Sequence, residues 1–493
     1  MQSFMVEQAG STRFGTSSPR SGAQDVPAAP AMAEAPEAVP RSRLILFVFM
    51  SALLVPGYFY VAGSSLTVYR LVLLALFPLL AWRWITGAAG KPNTVDILIL
   101  CGGIWIILGL IANHGFGVLP FAGILFVEGF GGYLIGRMLV RNASDFKRYF
   151  TFYTILFAIL LPFALVEMVT GKNLLRMFFD VFLSLPPRQV NLGLRLGFVR
   201  PQTVFHHPIL YGLMGSMGFA NVLYIYRKQF MKSLRLGVFF LFVTFTALSS
   251  GPMLSILCQC GLIFWDRTLR FLRGRWALLA ICAFMGLGLL RLAEEFNIVD
   301  FVINNLTYDP TTAPGRLINF EYGMAEIQRH PFFGIGQNDW VRPWWRKPSF
   351  DNFWVGYAMR YGIPTFLFLV LAILVSFAKI SSKDLSETES DYRTGYLITL
   401  IGVVITLGTV NIWEAANVFV SIYIGMGAWF YTRGGSGRPA VDPAVRERRM
   451  AQARAFGPEG NRPLAPRPEK GQAAGTAGAA AGTPSLRTRR NGL

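Results

Sequence analysis

The chain of 493 residues is 53% hydrophobic and only 15% charged, against roughly 25% in soluble domains, which excludes an ordinary soluble enzyme. A net charge of +19 would suit a nucleic-acid binder, but residues 433–493 hold 12 Lys/Arg against 4 Asp/Glu, so eight of those charges sit in one tail. Most of the rest lie in short loops, a pattern that follows membrane topology and attraction to an anionic leaflet and argues against nucleic acid.

Residues 1–43 are rich in Ala, Pro, Ser and Gly and show no apolar core before a cleavage site, so they read as a disordered tail rather than a signal peptide. Continuous apolar runs follow, each long enough or nearly so to cross the ~30 Å hydrocarbon core as a helix. About twelve spans are expected, near 44–62, 66–86, 95–112, 117–137, 149–169, 204–226, 234–249, 251–266, 275–292, 353–378, 394–411 and 414–432. The seventh and eighth are short and joined at Ser249-Ser-Gly-Pro252, consistent with a tight or re-entrant hairpin. Strand-barrel architecture would need alternating segments of about ten residues, and these runs are continuous. The expected fold is therefore an all-α polytopic membrane protein, residues 44–432, followed by a disordered basic tail at 433–493.

One set of short loops carries Arg137, Arg141, Lys147 and Arg148, then Arg227, Lys228, Lys232 and Arg235, then Arg267, Arg270, Arg273 and Arg275. The opposite short loops, at 63–65, 113–116, near 250 and at 412–413, contain no Lys or Arg. Positive charge stays inside, so both termini are expected in the cytoplasm and the long loops 170–203 and 293–352 outside. No internal repeat is visible, which disfavours an inverted-repeat transporter. All four cysteines (Cys101, Cys258, Cys260, Cys282) fall within spans, and Cys258-Gln-Cys260 has the wrong spacing for a zinc knuckle.

The two long outer loops hold the capable chemistry. Loop 170–203 has five cations (Lys172, Arg176, Arg188, Arg195, Arg200) and one acid, Asp180, against the topology bias. Arginine's planar fork suits phosphate oxygens, and Arg200 leads through Arg200-Pro-Gln-Thr-Val-Phe-His-His-Pro208 directly into a span. The bland alternative is a set of solvated or headgroup-facing arginines. Loop 293–352 is longer than a connector requires, and long ordered loops tend to carry function. In it Arg316 follows Pro314-Gly315 and opens an amphipathic helix, a turn able to aim a cation and backbone N–H groups at an anion. Arg342, Arg346 and Lys347 lie among Trp340, Trp344 and Trp345, either a sugar-stacking or phosphate-contacting patch or an interfacial aromatic belt. Bases are few: Asp351 stands where the loop re-enters the membrane, with Glu321, His330 and Asp339 near it in sequence. His206-His207 are adjacent on a helix start, about 100° apart, and chelate one metal poorly; no metal-ligand motif appears, so neither metal nor cofactor is expected. Arg70, Glu128 and Arg360 lie in or near spans, where an ionisable group costs roughly 3 kcal/mol unless it is paired or lines a wet cavity.

No nucleotide-binding fingerprint is present, so an outer-face enzyme needs a donor carrying its own activation, such as a lipid diphosphate-linked sugar. Taken in order, Arg200-Pro201 to Pro208, Ser249-Ser250-Gly251, Gly315-Arg316, His330-Pro331 to Gly334-Ile-Gly336, and Asp351-Asn352 with Tyr361-Gly362-Ile363 resemble the O-antigen ligase and polymerase family. The resemblance covers roughly residues 44–432. It implies a bacterial inner-membrane glycosyltransferase of about twelve helices with a large periplasmic loop between helices 9 and 10. Such an enzyme transfers glycan from undecaprenyl diphosphate to an acceptor glycan or lipid A core without metal or nucleotide, with a chain-length regulator as a further partner. It also implies that Arg200 and Arg316 hold the diphosphate, with Arg342, His330 and Trp340 as further glycan or diphosphate contacts and Asp351 as catalytic base. Ligases of the family commonly carry His-Asn where this chain has Asp351-Asn352, and Ser-Arg where it has Ser250-Gly251. These departures favour a polymerase of O-antigen or exopolysaccharide over a ligase. From another class, a lipid-linked oligosaccharide flippase would line a mid-membrane passage with Arg70, Glu128 and Arg360; an assembly subunit would have no site at all.

Overall fold

The computed structural model describes residues 40–61, 64–183, 185, 193–272, 274–292, 313–346 and 348–432. Arg188, Arg273, Lys347, most of the N-terminal tail, the whole tail 433–493 and residues 293–312 of the second long loop lie outside the described residues. What is described is overwhelmingly helical, as it must be if backbone N–H and C=O groups are to be satisfied without water. Among the described residues six helices are long and apolar enough to cross a membrane: Val68–Ile85, Thr94–His114, Phe116–Leu139, Ala143–Thr170, Pro208–Ile225 and Ile363–Ser381. This is an integral membrane protein.

Other expected spans fold as shorter or interrupted elements. Helix α1 (Pro40–Ala52) stops well before residue 62, because Val55 precedes Pro56 and is steered out of helical geometry. The β-rich run that follows forms a hairpin of β1 (Tyr58–Val61) and β2 (Ser64–Thr67), with Tyr58 opposite Thr67. Helix α2 (Val68–Ile85) leaves that hairpin, and α3 (Thr94–His114) is started by an Asn93–Asp96 capping box. The next span is not one regular helix: α4 (Leu119–Phe126) passes through a π-turn at Val127–Gly131 into α5 (Gly132–Leu139). Then come α6 (Ala143–Thr170), α7 (Leu174–Asp180) and a small hairpin of β3 (Leu194–Arg195) and β4 (Phe198–Val199).

Helix α8 (Pro208–Ile225) is buried almost all round, and α9 (Phe230–Thr246) and α10 (Ser250–Thr268) form the tight hairpin expected at Ser249-Ser250. Helix α11 (Arg275–Leu292) precedes the second long loop, whose described part opens with the amphipathic helix α12 (Ala313–Arg329). The expected span 353–378 is two helices, α13 (Phe353–Tyr361) and α14 (Ile363–Ser381), broken at Gly362. Gly362 has φ of +86°, and a Cβ there would stand 2.0 Å from the Phe332 carbonyl oxygen, so only glycine fits. The chain ends its described part with α15 (Glu387–Thr406), α16 (Ala415–Met426) and α17 (Trp429–Thr432).

Small residues let the helices touch. A Cβ on Gly136 of α5 would lie 2.1 Å from the Ile422 carbonyl of α16, and one on Gly425 would lie 2.1 Å from the Tyr133 carbonyl. Buried polar groups lock the same bundle: Asn221 Nδ2 donates to Thr399 Oγ1 and to Tyr423 OH, both at 3.0 Å. At one end, Arg137 is fully buried on Asp96, which also accepts from Trp84 Nε1 at 3.1 Å and from Tyr133 OH. Arg227 pairs with Asp391 at 2.6 Å and Arg275 with Asp266 at 2.8 Å. Three arginines expected as free loop charges are thus tied to acids at that end.

Candidate active site

The opposite end of the bundle, where the β3–β4 hairpin, the α9–α10 turn, α12 and residues 407–414 converge, holds a cavity of about 910 Å³. Its apolar side is built from α3, α4 and α14 through Gly102, Ile106, Phe121, Phe126 and Leu369. Its polar side brings Arg195, Arg200, Arg316 and Asp351 into one space, from segments far apart in sequence.

Arg200 is the most exceptional of these. It is only 5% exposed, it lines the cavity, and its Nε and Nη2 have no hydrogen-bond partner among the described residues. A buried guanidinium without an acceptor is costly, so a cavity is where its partner should come from. Its approach is enforced from outside: Thr203, at φ of +53°, donates its N–H to Glu167 Oε2 at 2.9 Å and accepts on its carbonyl from Asn173 Nδ2 at 2.7 Å. Burial, helped by the neighbouring Arg195 charge, lowers the Arg200 pKa to about 10, still charged at neutral pH. Arg195 Nη1 donates to the Leu248 carbonyl at 2.9 Å, and Leu248 itself is held at φ of +46° in the α9–α10 turn. Strained non-glycine residues of this kind gather where a fold must aim its groups.

Arg316 sits in the first turn of α12, half-buried, with no hydrogen bond or ion pair among the described residues. Burial lowers its pKa while the Asp351 carboxylate acts in the opposite sense, which ties the two electrostatically. The α12 entry is clamped by Arg346, whose Nη2 donates to the Gly315 carbonyl at 3.1 Å and to Asn319 Oδ1 at 3.3 Å. Asp351 is fixed by its neighbours. Asn352 caps α13 by accepting from Val355 N at 3.1 Å, and Phe353 N donates to the Leu407 carbonyl at 2.9 Å.

His330, Trp340 and Arg342 do not line the cavity. His330 is exposed at the end of α12, where its carbonyl accepts from Gly334 N at 3.1 Å. The run His330-Pro-Phe-Phe-Gly-Ile-Gly336 is a clamp. Ile335 N donates to the Met359 carbonyl, Gly336 N to the Arg360 carbonyl and Trp105 Nε1 to the Phe332 carbonyl, each at 2.9 Å. Trp340 is buried against Phe350 with its ring N–H on the Pro348 carbonyl at 3.2 Å. Arg342 is spent on Asp339 and on the carbonyls of Trp340 and Arg346. Arg360 lines the cavity, but its Nη1 donates to the Gly336 and Asn338 carbonyls.

Of the charges expected within spans, Arg70 Nε pairs with Glu128 Oε1 at 2.8 Å, Tyr69 OH donates to the same oxygen at 2.6 Å, and both members of the pair line the cavity. The π-turn carries Glu128, and such turns recur at functional sites. His206 and His207 diverge: His206 Nδ1 meets Glu414 Oε2 at 2.7 Å, while His207 Nδ1 accepts from Ile209 N at 3.2 Å and caps α8. Burial, then the charges of Arg200 and Arg195, lower the His207 pKa to about 4. The polar turn Asn411 to Glu414 and Asn417 also line the cavity and were not singled out from the sequence. Their one visible signal is a Trp-Glu pair in a very short outer turn.

Chemically, the cavity can hold an anion between arginines with a carboxylate beside it and an apolar side at hand. Residues 236–370, from α9 into α14, match the family model described as O-antigen ligase. No curated protein matches the chain. The matched stretch contains Ser249, Ser250, Arg316 and Asp351, whereas Arg195 and Arg200 precede it. The match bears out the resemblance to the O-antigen ligase family, and with it an O-antigen ligase or polymerase type of function in an integral membrane protein.

Proposed function

We propose that the cavity binds the diphosphate of an undecaprenyl diphosphate-linked glycan and transfers that glycan to a sugar hydroxyl on the periplasmic face of the inner membrane. The observation that carries this reading is Arg200, buried, charged and with no partner for its Nε and Nη2 among the described residues, sharing one cavity with Arg316 and Asp351. Asp351 takes the proton of the acceptor hydroxyl as its oxygen attacks the anomeric carbon. The anomeric carbon–oxygen bond to phosphate breaks, and the bonding pair departs with the diphosphate. Charge builds on that leaving group in the transition state, and preorganised guanidinium donors stabilise it without a metal. A carboxylate suits the base role because the acceptor proton needs only a positioned acceptor at the moment of attack.

The reaction we favour is polymerisation, in which the acceptor is a second lipid-linked repeat unit, because Asp351 and Gly251 stand where ligases of the family commonly have His and Arg. The competing reading is ligation to lipid A core, favoured by the description of the matching family model. Reconstituted protein supplied with a lipid-linked repeat unit, with and without lipid A core, separates them. A product ladder without lipid A supports polymerisation; a single transfer requiring lipid A supports ligation. Loss of either product in Arg316→Met ties the reaction to this cavity. Movement of the lipid-linked sugar across the bilayer with no new glycosidic bond would replace the enzyme by a flippase.

A further inference from the structure

Two groups of residues share the cavity's polar side with Asp351. Arg195, Arg200 and Arg316 form one. The 407–414 turn carries the other, and it reaches Asp351's neighbour through the bonds from Phe353 N to the carbonyls of Leu407 and Val410 at 2.9 and 3.2 Å. That turn has a different chemistry. Asn411, Trp413, Glu414 and Asn417 all line the cavity there. Trp413 is 38% exposed and its ring lies 6.2 Å from that of His207. Asn417 is half-buried with no hydrogen bond among the described residues. Glu414 is held at φ of +51°, a conformation a glutamate rarely adopts, and its Oε2 lies 2.7 Å from His206 Nδ1.

An indole face, two amides and a carboxylate make a poor phosphate site. Glu414 repels a diphosphate, and Arg70, whose charge acts on Glu414, is already paired with Glu128. The same groups suit a pyranose: the apolar face of a sugar lies on an indole, and its hydroxyls donate to carboxylate and amide oxygens. Geometry adds a constraint. A base must touch the attacking hydroxyl, so the acceptor sugar has to lie within reach of Asp351.

We infer that Trp413, Glu414, Asn411 and Asn417 form the acceptor subsite, which stacks the terminal sugar of the acceptor glycan on Trp413 and presents its hydroxyl to Asp351. This rests on the donor reading above, and it assigns a specificity role to a turn outside residues 236–370.

The test uses the full chain in nanodiscs, titrated separately with undecaprenyl diphosphate and with the lipid-free oligosaccharide released from the donor lipid. Trp413→Ala is expected to weaken oligosaccharide binding about tenfold while undecaprenyl diphosphate binding stays within about twofold. Trp413→Phe, which keeps an aromatic face, should restore most of the loss, and Glu414→Gln should weaken the oligosaccharide alone. Arg200→Met should show the opposite selectivity. If undecaprenyl diphosphate binds indifferently to Arg200, the donor reading itself fails. If that binding depends on Arg200 but wild type takes up no oligosaccharide, or Trp413→Ala leaves its affinity unchanged, the acceptor subsite is overturned and the donor site stands. Equal loss of both ligands in Trp413→Ala without rescue by Trp413→Phe also overturns it, because the turn would then be merely structural.

Discussion

At the end of the bundle remote from the cavity, Arg137 is closed onto Asp96, Arg227 onto Asp391 and Arg275 onto Asp266. At the cavity end, Arg200 is nearly as buried as Arg137, yet among the described residues no carboxylate meets it and its Nε and Nη2 lack any partner. Burying either guanidinium is costly; only that of Arg137 is compensated by a carboxylate among the described residues. Paired arginines hold helices together, and an unpaired one marks where something else must bind.

The sharpest way to break this contrast is to mutate one arginine of each kind. Arg137→Met leaves Asp96 buried without its cation and should cost about 3–5 kcal/mol, seen as loss of folded protein on size-exclusion. Arg200→Met removes an uncompensated charge, so the variant should melt no lower than wild type while its transfer rate falls about 10²–10³-fold. A fall in melting temperature comparable to that of Arg137→Met would erase the distinction.

Glycine at the α13–α14 break offers an intermediate effect. Gly362→Ala must place a Cβ against the Phe332 carbonyl at positive φ, and should destabilise by about 1–3 kcal/mol in thermal melts. Smaller still, His330→Ala and Arg342→Asn should leave the transfer rate within about threefold, because neither residue reaches the cavity; a loss near that of Arg200→Met would restore them to the site.

Proton linkage gives the least effect. The folded pKa of His207 is about 4 against an ordinary 6.5, so between those values the unfolded chain binds more protons. Stability should therefore rise with pH across 4 to 6.5, and that part of the slope should vanish in His207→Gln when melting is followed against pH.

Much of this was legible in the sequence because the signals were local. Apolar run length announced the membrane fold; Arg200 and Asp351 stood where loops meet spans, and Arg316 followed Pro314-Gly315 at the start of an amphipathic helix. What escaped depended on distant partners. Nothing in His330-Pro-Phe-Phe-Gly-Ile-Gly336 tells that its carbonyls and amides face α3 and α13, so a clamp looked like chemistry. Trp340 and Arg342 read as either a ligand patch or an aromatic belt, and the sequence does not show Phe350 packed on the one or Asp339 bonded to the other. Arg137 read as a loop charge because Asp96 is remote in sequence. The π-turn at Val127–Gly131 has no composition signature, and Gly362, quoted only within the motif Tyr361-Gly362-Ile363, lay inside a run read as one continuous span.

The central claim is that Arg200 and Arg316 are held open for a diphosphate. The measurement that tests it most directly is the melting temperature of the reconstituted chain with and without undecaprenyl diphosphate, for wild type, Arg200→Met and Arg316→Met. A ligand bound only by the folded state raises the melting temperature by mass action. The account predicts a clear upward shift in wild type, none in either variant, and variant melting temperatures without ligand no lower than wild type. Variants that melt early on their own and still shift with undecaprenyl diphosphate would contradict it.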